Sequence, residues 1–106
     1  MNNRELLELA ARAAGYAVDC GFADCPLIYG EDAGMDGPRE WNPLTDDGDA
    51  LRLAVDAGIL DGNAFSVWLN YRNGAMAIEG LDAREATRLA FVRVAAEIGK
   101  SMGGGE

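Results

Sequence analysis

Leu6, Leu7, Leu9, Ala10, Ala13 and Ala14 recur at the spacing of one helix face. Asn2, followed three residues later by Glu5, forms a capping-box start for this helix, and Gly15 is placed to end it. The period then changes. Tyr16 to Cys20 and Leu27 to Tyr29 are short β-prone runs, broken by Gly21 and Pro26, and they predict a hairpin. From Gly30 to Glu40 the apolar periodicity disappears. Acidic residues, glycines and Pro38 take its place and read as an exposed loop.

Trp41-Asn42-Pro43-Leu44 leads into Thr45-Asp46-Asp47, where Thr45 is the expected N-cap and Asp46, Asp47 and Asp49 fall in the first helical turn. Carboxylates there complement the positive end of the helix dipole. The helix continues through Ala50, Leu51, Leu53, Ala54 and Ala57 and stops near Gly58. Phe65, Val67 and Leu69 then alternate with Ser66, Trp68 and Asn70, the pattern of a strand with one buried face. Asn73-Gly74 signals a type I′ turn that returns the chain into a second strand from Ala75 to Glu79. Asp82 and Glu85 form another capping box, opening a helix to about Gly99 with Leu89, Ala90, Val92, Ala95, Ala96 and Ile98 among its buried positions.

The resulting order, α-β-β-α-β-β-α, predicts an α/β (α+β) fold, an α-β-α layered sandwich with helices packed on a small, mainly antiparallel sheet. Residues 1–100 form the single expected domain and residues 101–106 a disordered tail. A length of 106 residues and a hydrophobic fraction of 49% suit one core. No window has the continuous apolar length of a membrane span, and the polar start lacks a signal-peptide core, so a cytoplasmic location in a bacterial host is expected.

Charge sharpens the picture. Eighteen acids against nine bases give a net charge of -9, and histidine is absent. Eleven of the acids and only two bases, Arg39 and Arg52, lie between Asp19 and Asp61, while the remainder is neutral. Without clustered lysine and arginine, direct nucleic-acid binding is not expected; a protein with a basic surface is the better match. Cys20 and Cys25 are too few for a disulfide framework and have no histidine to complete a zinc site, so they read as free thiols.

The stretch from Trp41 to Val55, with Arg4 to Ala10 at one end and Ala86 to Ala90 and Ala95 to Gly99 at the other, resembles the phage ABA sandwich domain family. The resemblance covers most of the chain, departing from it between Asp19 and Arg39 and between Leu60 and Leu81. It implies helix, sheet, helix layering and a phage origin, and it implies no established activity.

Catalytic chemistry finds little support in the residues. Absence of histidine removes the Ser-His-Asp and Cys-His arrangements. A calcium loop started at Asp32 fails, because Gly34 falls at the third position and Pro43 at the twelfth. Asp46, Asp47 and Asp49 are carboxylates that a divalent cation would use, yet helix capping accounts for them. The glycines spell no phosphate loop. No catalytic, cofactor or metal residue is therefore assigned.

Trp41, just before the helix cap, is expected to pack on that helix. Trp68 has two readings, a core residue or an exposed anchor for a partner. The expected partner-binding set is Glu31, Asp32, Asp36, Glu40, Asp46, Asp47, Asp49 and Trp68. It suits a small acidic phage protein that binds and inhibits a host protein, such as a nucleic-acid-handling defence component, with carboxylates in place of phosphates. The alternative is a non-enzymatic structural or accessory protein that forms homo-oligomers through Ile59, Leu60 and Trp68.

Overall fold

The computed structural model describes residues 3–19, 27–29 and 39–102. Asn2, Cys20, Cys25, Glu31, Asp32, Asp36 and residues 103–106 lie outside these. Four helices dominate the described chain: α1 (Asn3–Ala14), α2 (Asp47–Asp56), α3 (Gly62–Ala77) and α4 (Ala83–Met102). Three short strands, β1 (Ala17–Asp19), β2 (Leu27–Tyr29) and β3 (Arg39–Glu40), fall between α1 and α2.

Local chemistry sets the helix ends. Gly15 adopts a positive φ of 80°, which lets Gly15 N donate to the Arg12 carbonyl at 3.1 Å and Tyr16 N to the Ala11 carbonyl at 2.9 Å. This paired closure satisfies carbonyls that the helix leaves open. Gly58, with a φ of 73°, repeats it for α2, bonding back to Val55 while Ile59 N reaches the Ala54 carbonyl. Ile59 is thereby turned into the core and is fully buried. At the start of α4 the Asp82 carboxylate accepts from Glu85 N at 2.8 Å. α4 runs on through Ser101 and Met102, past the expected end near Gly99.

α4 is the element on which α1, α2 and α3 all pack. Its Ala90, Phe91, Val92, Val94 and Ala95 join Leu7, Ala10 and Ala11 of α1, Leu53 and Ala54 of α2, and Trp41 in one core. Small residues bring α1 and α4 very close. A Cβ built on Gly99 would sit 1.9 Å from the Leu9 carbonyl oxygen.

The layered α-β-α sandwich, expected from the pattern and from the family resemblance, is not the fold. The strands make one short antiparallel ladder in the order β1-β2-β3, with Val18 opposite Ile28 and Ile28 opposite Arg39. No sheet layer separates the helices among the described residues; the helices pack on one another.

The expected second hairpin is replaced by α3. Trp68 and Ala75 are buried, and Ala64 and Tyr71 are partly buried, at spacings of four, three and four residues. That is a helical face, which a strand with period two cannot present. Gly74 is not among the glycines with positive φ, so the Asn73-Gly74 pair makes no I′ turn. Burial of the Trp68 face outweighs the roughly 1 kcal/mol that a mid-helix glycine costs.

Candidate functional site

The segment leading into α2 shows how the acids of the sequence are used. Trp41 is fully buried, with its ring edge-on to Tyr16 at 5.6 Å and 87°. Asn42 follows as the centre of a tight turn. Its Oδ1 accepts from Leu44 N at 3.1 Å, and its carbonyl accepts from Thr45 N and Asp46 N. Because that turn takes up Thr45, the N-cap moves one residue on to Asp46, whose carboxylate accepts from Asp49 N at 2.7 Å.

Asp47 meets Arg88 at 2.5 Å and Arg84 at 3.8 Å, linking α2 to α4. Arg88 also donates from Nε to the Leu44 carbonyl at 2.9 Å. Asp49 is only 4% exposed; it accepts from Asn42 N at 3.1 Å and from Arg52 at 2.8 Å. The structure thus brings Asp46, Asp47 and Asp49 together at one helix start, engaged with backbone N–H groups and arginines. Glu40 lies in β3, opposite Leu27. Glu31, Asp32 and Asp36 lie outside the described residues.

Trp68 is 9% exposed and stacks on Phe91 with centroids 4.9 Å apart at 14°. Phe65 leans on its ring at 5.2 Å, the Arg72 guanidinium lies 5.7 Å from its centroid, and its Nε1 donates to the Thr87 carbonyl at 3.4 Å. The core reading fits this environment.

Exposed apolar side chains sit elsewhere. Leu51 and Val55, one turn apart on α2, are 55% and 58% exposed. Leu60 after α2, Phe65, Val67, Leu69 and Met76 on α3, and Ile78 just beyond it are exposed as well. Among the described side chains, Met102 is the one large exposed apolar group outside residues 51–78.

A groove of about 440 Å³ opens between α2 and the first half of α4. Ala50, Leu51, Ala83 and Phe91 supply its apolar lining, and Asp47, Arg84, Thr87 and Arg88 its polar groups. No short-range sequence signal marks it, since its two walls lie more than thirty residues apart in the chain. Such a surface can seat side chains of another protein.

Two carboxylates on this frame, Glu79 and Asp82, are tuned by an ordinary ion pair and a helix cap. Arg93 donates to both carboxylate oxygens of Glu79, at 2.7 and 3.0 Å, and that hydrogen-bonded contact lowers the Glu79 pKa. The Glu85 backbone N–H does the same for Asp82. Both shifts favour the carboxylate, the reverse of what a general acid at neutral pH requires. Among the described residues no group of three Cys, Asp or Glu side chains is placed to hold a metal ion. Nor is any described helix long and apolar enough to cross a membrane.

No protein-family model, curated protein or solved structure matches the chain.

Proposed function

We propose that this chain is a non-catalytic, phage-encoded protein that binds and inhibits a basic host protein, docking through the groove between α2 and α4. The exposure of Leu51 and Val55 beside that groove carries the reading, because large apolar groups left in water on a helix are the anchors that a protein partner covers. Phage origin rests on the resemblance of residues 41–55 and the two flanking helical segments.

Net charge supplies the second part. A field of nine negative charges speeds encounter with a basic partner while contributing less to final affinity. Asp46, Asp47 and Asp49 add to that field while serving the fold, so they need no direct phosphate-like contact. Glu31, Asp32, Asp36 and Glu40 contribute in the same way.

The test is a binding experiment with bacterial host lysate at about 0.05 and about 0.5 M salt, where screening lengths differ severalfold. The native chain is compared with Leu51→Glu/Val55→Glu, after circular dichroism shows equal helicity. The expected result is a host protein retained by the native chain, released by salt, and bound at least about tenfold more weakly by the double variant. Equal retention by the double variant would remove the groove from the reading, and an empty pull-down at both salts would overturn the reading itself.

A further inference from the structure

α3 presents a face that the groove does not use. Residues 62–77 contain one charged side chain, Arg72, in a chain that is 25% charged. Every other described helix carries both acids and bases. Ala64, Trp68, Tyr71 and Ala75 turn α3 onto α4. Next to that stripe run Phe65, Leu69, Arg72 and Met76, again spaced by four, three and four residues and so on one helical flank. Phe65, Leu69 and Met76 are 39%, 37% and 38% exposed, and the Arg72 guanidinium is drawn over the Trp68 ring.

From this flank we infer that α3 is the contact between two copies of the chain, paired antiparallel about a two-fold axis that passes between Leu69 and Arg72. Such pairing sets Phe65 against Met76 of the second copy and Leu69 against the aliphatic stem of Arg72, so that one stripe complements itself, as an isologous contact requires. Neutral Ser66 and Asn73 border it and can hydrogen-bond across the contact.

Charge selects the occupant. Two chains of net charge -9 repel, and like charges brought face to face in an interface oppose association. α3 is the described helix on which a second copy meets almost no like charge. A basic partner would gain nothing from this neutrality; a second copy depends on it.

Salt dependence separates this contact from the groove. Binding of a basic partner weakens as salt rises, whereas self-association across a neutral face strengthens, because screening removes the repulsion between the rest of the two molecules. The experiment is sedimentation equilibrium of the full chain at about 100 μM in about 0.05 and about 0.5 M sodium chloride.

We expect a monomer–dimer equilibrium that shifts toward dimer at the higher salt. Leu69→Glu should raise its Kd at least about tenfold. Should Leu69→Glu lose helicity, Met76→Gln, at a similarly exposed position, carries the same comparison. A chain monomeric at both salts, a dimer that weakens with salt, or a Kd unmoved by the folded variant would each overturn the inference. A monomeric chain whose retained host protein is lost on Leu69→Glu would assign the face to a different protein, and would overturn it too.

Discussion

Gly99 and Asp49 each do work that their residue types ordinarily do not. In an exposed helix, Gly→Ala stabilises by up to about 1 kcal/mol. At Gly99 the added methyl would enter the Leu9 carbonyl oxygen, backbone that cannot swing aside as a flexible side chain can. Gly99→Ala should therefore destabilise by about 1–3 kcal/mol, read as a lower urea midpoint. Asp49 is a buried carboxylate tied to a backbone N–H and to Arg52. Asp49→Ala removes the acceptor of Asn42 N and should cost about 1–3 kcal/mol by the same measurement. Asp49→Asn, which keeps an oxygen acceptor, should cost less.

At the scale of the element, the test case is α3. Its outer positions give strand-like alternation because both flanks of the helix are apolar, Phe65 and Leu69 on one and Val67 on the other. The residues that decide its conformation, Trp68 against Phe91 and Ala75 against α4, depend on partners far along the chain. Local pattern does not reveal them. Closure at Gly15, closure at Gly58 and the cap at Asp82 were legible because each is made with residues three to five positions away. Thr45 failed as a cap for a reason of the same short range, the Asn42 turn. Of the site, the acids were visible in the sequence but their engagement by Arg84 and Arg88 was not. A direct check follows from Gly74, where an added Cβ meets nothing within 4 Å. In a helix, Gly74→Ala should raise stability by about 0.5–1 kcal/mol; in a type I′ turn it would lower it, so thermal unfolding distinguishes the two.

For the whole molecule, acid is the condition to vary. Glu79 and Asp82 have ordinary pKa values of 4.5 and 3.8 that the fold lowers, so the unfolded chain takes up these protons first as pH falls. Their stabilising contribution is complete above the ordinary values, declines below about pH 4.5 and is lost once pH passes below the folded values. With no histidine in the chain, the melting temperature should stay flat between about pH 6 and 7.5. A marked slope in that interval would contradict this charge inventory.

The close seating of α1 on α4 has a consequence for biosynthesis. Ribosomes deliver α1, α2 and α3 before α4, yet α4 holds the surface on which all three close. Until α4 emerges, Leu7, Ala10, Leu53 and Trp68 lack the central wall of their core, which Ala90, Phe91, Val92, Val94 and Ala95 supply. Folding of this helical unit is thus gated by synthesis of α4. Ribosome-bound chains halted before Ala83 should be cut readily by protease, while chains halted after α4 has cleared the ribosome should resist it.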